Sequence, residues 1–275
     1  MYTGKRVMQD NKLGLTQHLV SNNAINLTVV DIGARGGFAP YWSVYGDCIK
    51  MVGFDADVNQ AKKLGEKCSA RILSADGKDR IFYIIRYPAS SGLYPPNIEF
   101  TNRIINRDYL NILDTKEVRT VTLDSLGIKP DFIKADTEGS DLEILQGGIE
   151  TMKSALGIRV EVEFQELFSG APLFHETDAF MKEHGFTLFD MMLIKMERAR
   201  PGRSGIGDGN SGQLVVGQAL YFRDIYKDID KYSEQSILKL ASLFEVFNLS
   251  DCAYEILNNP RTSKYLEFIG DADGK

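Results

Sequence analysis

The stretches VVDIGARGG at 29–37, VGFDAD at 52–57 and TLDSLGIKPDFIKADTEGSDLEILQGG at 122–148 contain most of the information about the architecture of this chain. The first is an apolar strand that ends near Asp31 and leads into a glycine-rich turn, and the second is another apolar strand, which ends at Asp55. Short continuous apolar runs are typical of parallel strands that are covered on both faces. The pattern therefore predicts the beginning of a Rossmann-like fold that holds a nucleoside at one edge of its sheet.

Strand and helix patterns alternate after residue 26, and this alternation predicts a doubly wound α/β domain with a mostly parallel sheet. The predicted strands are 27–32, 49–55, 70–74, 80–86, 117–123, 131–136, 157–164, 186–196 and 213–222. The predicted helices lie near 57–67, 97–107, 140–155 and 174–184.

We divide the chain into a helical lead at 1–26, the α/β domain at 27–224 and a helical extension at 225–275. The segment SILKLASLFEVF of the extension has apolar residues at helical spacing, and NNP at 258–260 is expected to end the run. We expect the extension to cap the edge of the fold. A homodimer surface and a lid over the substrate stay open as alternatives.

Composition and charge restrict the partners of the protein. The 275 residues are 43% hydrophobic and 25% charged, with a net charge of −6 and a pI of about 5.3, so no overall positive field attracts nucleic acid. No apolar stretch approaches the roughly 20 residues of a membrane-spanning helix, and the first residues lack the apolar core of a signal peptide. The three cysteines are widely spaced, which indicates neither a disulfide framework nor a zinc site. We therefore expect a cytoplasmic protein.

The glycine turn and the second strand predict a ribose site. Glycine at Gly33 and Gly37 lets the backbone turn sharply and approach a ligand closely. Asp55 lies 22 residues after Gly33, at the end of the next strand. A carboxylate in this place can accept hydrogen bonds from both ribose hydroxyls.

The charge of the turn favours a cofactor without phosphate. Asp31 precedes the first glycine, and a carboxylate there is a poor neighbour for a pyrophosphate but a good one for a cation. S-adenosylmethionine has an ammonium group and a sulfonium group and no phosphate, so it is the cofactor we predict. A nicotinamide enzyme is the less favoured alternative, because the chain lacks both GxGxxG and Tyr-x-x-x-Lys.

Carboxylates after the later strands are the candidate catalytic groups. Asp136 and Glu138 follow the strand DFIKA, at the sheet edge where open α/β folds bind ligands. We expect Asp136 to face the cofactor or the acceptor, and Glu138 to orient the substrate or to stabilise the start of the next helix. Glu161 and Glu163 share one face of a later strand, where a carboxylate needs a partner or a ligand.

A base and a metal ion are further possibilities. His175 follows the loop FSGAPLF and is the most plausible imidazole base, although a surface histidine fits the pattern equally well. Asp136, Glu138 and Glu163 offer oxygen ligands for Mg²⁺, but nothing in their spacing requires a metal, and we predict none.

With these residues in place, the chain resembles the FkbM family of S-adenosylmethionine-dependent methyltransferases from about Thr28 to Asp224. TLDSLGIKPDFIKADTEG is close to the family pattern of TLDSL, a short spacer and DFIKIDVEG. VVDIGARGGF is similar to VDIGANxG with Arg35 where asparagine is usual, and GFDAD replaces FEPN, which places Asp55 and Ala56 in the ribose loop.

The resemblance implies a seven-stranded class I methyltransferase sheet with an antiparallel last strand. It also implies O-methylation of a small-molecule or glycan acceptor, such as a sugar, a glycoconjugate or a related natural product. A methyltransferase-like protein that binds a ligand without turnover is the alternative. The residues expected at the cofactor are Asp31, Gly33, Arg35, Gly37, Asp55, Ala56, Ala75, Asp76 and Asp136.

Overall fold

The computed structural model describes residues 13–105, 107–201 and 211–269. The predicted helical lead is therefore described only from residue 13, where it contains the helix α1 (Gly14–Ser21), and its earlier part lies outside the described residues. None of the described helices is long and apolar enough to cross a membrane.

In the part of the chain that the structure describes, ten strands form two sheets. The strands are β1 Leu27–Ile32, β2 Ile49–Asp55, β3 Cys68–Ala70, β4 Ile72–Leu73, β5 Asp79–Ile85, β6 Ile112–Val121, β7 Phe132–Ala135, β8 Gly157–Glu163, β9 Thr187–Met196 and β10 Gln213–Phe222. The central sheet has the order β3-β2-β1-β7-β8-β10-β9, and β10 is antiparallel to both of its neighbours. This order confirms the predicted seven-stranded, mostly parallel sheet whose last strand is antiparallel.

The helices are α1 Gly14–Ser21, α2 Val58–Lys63, α3 Ile98–Thr101, α4 Asp141–Gln146, α5 Ile149–Met152, α6 Phe174–Glu183, α7 Glu234–Val246 and α8 Ser250–Leu257. The single helix predicted near 140–155 is in fact the pair α4 and α5. The break lies at Gly147, where an added Cβ would be 2.5 Å from the carbonyl oxygen of Ser74. Close packing of two backbones therefore overrides the helical pattern at this point.

The strand predicted at 70–74 is divided between the two sheets. β3 pairs with β2 at the edge of the central sheet, whereas β4 pairs with β6 in a small sheet of order β4-β6-β5. β5 and β6 form a long antiparallel pair. This pair stands beside the carboxyl edge of the central sheet and contributes one wall of the site described below.

The helical extension belongs to the core of the protein. Nine residues of α7 are buried, and α7 packs with α1 against one face of the central sheet. The aromatic rings of Phe132, Phe222 and Phe244 meet there, with Phe222 and Phe244 at a centroid distance of 4.9 Å. The extension thus covers a face of the sheet, and not merely its edge as we expected. None of its described residues lines the site, which gives the lid alternative no support.

A buried carboxylate joins α1 to α7. Glu245 is 1% exposed and accepts hydrogen bonds from the backbone N–H groups of Leu15, at 3.1 Å, and of Thr16, at 2.7 Å. The hydroxyl of Thr16 donates a third bond, at 2.7 Å. Because these donors lie at the start of α1, where no intrahelical acceptor exists, Glu245 satisfies groups that would otherwise be buried without partners.

Replacing Glu245 with alanine is expected to destabilise the protein by about 3 kcal/mol, since buried donors at the start of α1 lose their acceptor. Urea denaturation followed by far-UV circular dichroism measures the change. Glu255→Ala on the exposed side of α8 is the control, with an expected change below about 0.5 kcal/mol. Equal effects of the two substitutions would contradict the role of Glu245.

Candidate active site

A cavity of about 840 Å³ lies at the carboxyl ends of β1, β2 and β7. Six residues predicted from the sequence line it, together with Gly36 and with side chains of β5, β6 and the segment 87–93. The six are Gly33, Arg35, Asp55, Ala56, Asp136 and Glu138. Three separate stretches of the sequence therefore meet at one site, as their patterns predict.

Gly33 allows the chain to cross closely over the end of β7. Its φ angle is +79°, and a Cβ at this position would overlap the carbonyl oxygen of Asp136. Its N–H donates to the carbonyl oxygen of Phe54 at 2.9 Å, which ties the turn to β2. Any other residue would push the turn away from the carboxyl edge and change the shape of the cavity.

Asp31 is placed differently from the expectation. It is 2% exposed and does not line the cavity; instead, its Oδ1 lies 3.1 Å from the Nζ of Lys134. Burial raises the pKa of Asp31, and the nearby ammonium group opposes this shift. Asp31 therefore lies behind the cavity wall, where it pairs with Lys134, and the wall next to it is formed by Gly33 and Asp136.

Lys134 connects the two strands that carry the site. Its Nζ donates to the carbonyl oxygen of Gly33 at 3.1 Å and lies 3.4 Å from Oδ2 of Asp136. Burial alone would lower the pKa of Lys134, but the carboxylates of Asp136 and Asp31 raise it above its usual value. The sequence analysis missed Lys134, although a lysine inside the apolar strand DFIKA was a visible signal.

Asp55 has the environment expected of a ligand-binding carboxylate. It is 6% exposed and lines the cavity, and its Oδ1 accepts a hydrogen bond from the N–H of Asp57 at 2.7 Å. Burial raises its pKa, and that hydrogen bond opposes the shift. Arg35 pairs with Asp57 at 3.0 Å, so the arginine braces the loop after β2.

Three other predicted cofactor residues do not line the cavity. Gly37 lies in the turn, but its neighbour Gly36 forms the wall. Ala75 packs against Gly147, and Asp76 pairs with Lys78 at 3.0 Å and with Arg80 at 2.8 Å. The wall at this side is formed by Arg71, Ile72 and Leu73 instead, because β4 turns into the small sheet.

The carboxylates that follow β7 and β8 form a cluster. Glu138 has a left-handed backbone with φ of +58°, which is uncommon for a residue other than glycine and is typical of functional sites. Its pKa is raised by burial, then by Asp136, Asp141 and Glu163, while Ser90 opposes the shift. Burial also raises the pKa of Asp141 to about 7, and Asp136 adds to this effect.

Glu163 completes the cluster at the end of β8. Its Oε2 accepts hydrogen bonds from the N–H groups of Leu167, at 3.0 Å, and Phe168, at 3.4 Å. Its Oε1 faces Gly139 and has no hydrogen-bond partner among the described residues. Burial raises the pKa of Glu163 to about 8, and the hydrogen bonds from those two N–H groups oppose this shift. Glu163 therefore stabilises the segment after β8 and does not line the cavity.

His175 lies outside the site. It is exposed near the start of α6 and does not line the cavity, so this geometry gives no support to its expected role as the base. Among the described residues, no group of three or more histidine, cysteine, aspartate or glutamate side chains has the arrangement of a metal site.

Comparison with known families agrees with this geometry. The methyltransferase FkbM domain matches residues 31–188, which is more than half of the chain and includes the cavity residues on β1, β2 and β7. The chain belongs to the FkbM methyltransferase family. No curated protein matches it at a significant level.

Solved structures resemble this FkbM methyltransferase only distantly. The magnesium protoporphyrin IX methyltransferase of Synechocystis, solved with bound S-adenosylmethionine, is 10% identical, with 78% of this chain and 80% of that chain covered and a TM-score of 0.35. A 1,6-didemethyltoxoflavin N1-methyltransferase of Burkholderia thailandensis, solved with S-adenosylhomocysteine, is 10% identical, with 80% and 83% covered and a TM-score of 0.33. Similarity at this level does not indicate the acceptor.

The membership confirms the predicted cofactor, S-adenosylmethionine, and the residues of the cavity fit it. The close approach of Gly33 to Asp136 leaves the turn without a side chain at the carboxyl edge. Asp55 presents a buried carboxylate at the end of β2, which suits the hydroxyls of a ribose.

Asp55→Asn in this FkbM methyltransferase is expected to weaken the binding of S-adenosylhomocysteine by about 1.5–3 kcal/mol, because hydrogen bonds to a charged group are lost. Isothermal titration calorimetry measures the affinity. Asp76→Asn is the matched control and should leave it within about twofold, since Asp76 does not line the cavity. Weaker binding in the Asp76 variant alone would mean that Asp76, and not Asp55, contacts the cofactor.

Glu163→Gln is expected to stabilise the protein increasingly as pH rises from about 5 to about 9. The pKa of Glu163 is about 8 in the fold against a usual 4.5, so its stabilising contribution is present below the usual value and is lost as pH rises through about 8. Glutamine keeps the acceptor for Leu167 and avoids the buried charge. Thermal melting of both proteins across this range gives the difference, and a constant difference would contradict the raised pKa.

Proposed function

We propose that this protein transfers the methyl group of S-adenosylmethionine to a hydroxyl oxygen of a sugar, a glycoconjugate or a related natural product. The main support is the carboxylate cluster beside the cavity, where Asp136 and Glu138 line the wall. An alkyl hydroxyl is a weak acid, and a positioned base accelerates its reaction by about 10²–10⁴-fold. Carboxyl groups whose pKa values are raised by burial suit this task.

In this proposal, each residue of the site has a separate role. S-adenosylmethionine supplies an electrophilic methyl group on a sulfonium sulfur. Gly33 and Asp55 bind the donor, and Lys134 holds Asp136 in place at the edge of β7. Asp136 accepts a hydrogen bond from the acceptor hydroxyl, orients its oxygen and takes up its proton, and the neighbouring carboxyl of Glu138 lines the wall beside it. Alignment of the reactants contributes up to about 7–11 kcal/mol to such reactions.

One part of the cavity wall suits an acceptor with an apolar surface. Phe82, Ile84 and Val118 on the small sheet, and Tyr87 and Leu93 on the adjoining segment, line this part. Apolar and aromatic side chains pack against the faces of sugar rings or against an apolar aglycone. The wall thus combines apolar contact with the carboxylates of Asp136 and Glu138, as a carbohydrate or glycoconjugate requires.

The alternatives have less support. Family membership argues against a nicotinamide enzyme. A binding protein without turnover would not need the carboxyl groups of Asp136 and Glu138 in the cavity wall next to Gly33 and Asp55. A cytoplasmic location and a homodimer stay predictions from the sequence.

Incubation with a labelled methyl donor and a panel of nucleotide sugars and lipid-linked glycans tests the function. We expect label on a sugar oxygen, located by tandem mass spectrometry. Donor binding without transfer to any member would favour the binding protein, and transfer to nitrogen would exclude O-methylation.

Asp136→Asn is expected to lower kcat by about 10²-fold or more, because the group that orients the hydroxyl loses its charge. His175→Ala should keep kcat within about twofold, since His175 does not line the cavity. Single-turnover rates with the acceptor found in the panel give both values. A large loss in the His175 variant would restore the histidine as the base.

A further inference from the structure

The cavity has two walls that differ in charge. The wall at the carboxyl edge of the central sheet contains the carboxyl groups of Asp55, Asp136 and Glu138. The second wall is formed by β4 and by one face of the β5–β6 pair, and it is apolar except for Lys116 and for Arg71, which directly precedes β4. Every charged side chain that the structure describes in this second wall is therefore a cation.

Strand register places Lys116 within the second wall. Lys116 on β6 is directly opposite Phe82 on β5, so the two side chains share a face. Ile84 and Val118, each two residues further along its strand, line the cavity from the same face. Asp114 also lies on this face, but it does not line the cavity, and its Oδ1 accepts a hydrogen bond from the N–H of the next residue at 2.8 Å. Lys116 therefore carries the charge of an otherwise apolar surface.

The cations of the second wall have no carboxylate partner, unlike the other cations of the cavity. Arg35 pairs with Asp57 at 3.0 Å. Lys134 lies 3.4 Å from Asp136. By contrast, both cations of the second wall are exposed and form no ion pair with any residue that the structure describes. A ligand that binds them has no internal ion pair to break.

The methyl donor does not account for both of these cations. The strand order β2-β1-β7 places the carboxyl ends of β2 and β7, with Asp55 and Asp136, about 10 Å apart. A donor whose ribose meets Asp55 and whose methyl group meets the acceptor at Asp136 has its own carboxylate near the Asp136 end. The N–H of Arg71 donates to the carbonyl oxygen of Asp55 at 3.2 Å, so Arg71 lies at the ribose end, away from that carboxylate.

We propose that the second wall binds an acidic group of the acceptor, a phosphate or a carboxylate, while the hydroxyl to be methylated faces Asp136. The guanidinium of Arg71 can donate two parallel hydrogen bonds to such a group, and Lys116 adds a compact charge. The apolar side chains of Phe82 and Ile84 contact the rest of the acceptor. This inference rests on the proposed function and narrows it, because it selects sugar phosphates and sugar acids over neutral sugars.

Binding of simple sugars to the complex with S-adenosylhomocysteine tests the inference separately from turnover. The probes are the methyl glycosides of glucose, galactose and mannose, the matching uronates and the matching 1-phosphates, measured by isothermal titration calorimetry. We expect at least one acidic probe to bind about tenfold more tightly than its neutral counterpart, since two exposed cations each contribute a few-fold. High salt should reduce this advantage. Equal or tighter binding of the neutral glycosides would overturn the inference.

Variants of the two cations provide the second test. Lys116→Met and Arg71→Met remove the charge at similar length, and each should weaken the best acidic probe about fivefold while the neutral glycoside stays within about twofold. Lys116→Arg keeps the charge and should retain most of the affinity. Arg119→Met is the control and should leave binding within about twofold, because Arg119 lies three residues from Lys116 on β6, on the opposite face, and does not line the cavity.

Donor affinity shows which carboxylate Lys116 binds. The affinity for S-adenosylhomocysteine should stay within about twofold in Lys116→Met. Weaker binding of S-adenosylhomocysteine but not of 5′-methylthioadenosine, which has no carboxylate, would assign Lys116 to the donor and overturn the inference. Both methionine variants should melt within about 2 °C of the wild type, because exposed cations without ion pairs contribute little to stability.

The outcomes separate this inference from the proposed function. Methyl transfer to an oxygen of a neutral sugar, with no preference for acidic probes, would overturn the inference and leave the carbohydrate acceptor intact. Binding of acidic probes together with methyl transfer to nitrogen would support the cationic wall and overturn O-methylation. Failure of the wild-type complex to bind any probe would overturn the inference, and the labelled-donor panel would still decide the function.

Discussion

The ammonium group of Lys134 is the interaction on which the arrangement of the site depends. It joins the buried carboxylate of Asp31, the carbonyl oxygen of Gly33 and the carboxylate of Asp136, and thus connects the ends of β1 and β7. A buried carboxylate without a counter-charge is strongly unfavourable, so Asp31 and Lys134 require each other. The glycine turn at Gly33 and the carboxylate of Asp136 are consequently fixed relative to one another by a single side chain.

The same edge concentrates carboxyl groups to an unusual degree. Glu138, Asp141, Glu161 and Glu163 lie within electrostatic reach of one another, and burial raises the pKa of each. Mutual repulsion and poor solvation are relieved when some of them bind protons. The pKa of Asp141 is raised to about 7 and that of Glu163 to about 8, so these two carboxyl groups bind protons near neutral pH.

Many strand boundaries were predictable, because they are set by short apolar runs and the turn residues beside them. The strands that begin at Leu27, Ile49 and Gln213 have the predicted boundaries, since continuous apolar runs between turn residues allow few alternatives. The misses arise where distant segments meet. Gly147 ends α4 because its backbone packs against Ser74, and the strand predicted at 70–74 divides because β4 pairs with β6.

The positions of most strands, the glycine turn at Gly33 and the acids at Asp55 and Asp136 were inherent in the pattern of residues along the chain, because hydrophobic periodicity and turn chemistry act over a few residues. Contacts between side chains on neighbouring strands could not be predicted from these local patterns. The burial of Asp31 beside Lys134 and the position of Glu161 opposite Gln218 follow from the register between strands far apart in the chain, and the exposure of His175 follows from the packing of α6. Desolvation and electrostatic pairing depend on that register, so these properties arise only when the sheet assembles.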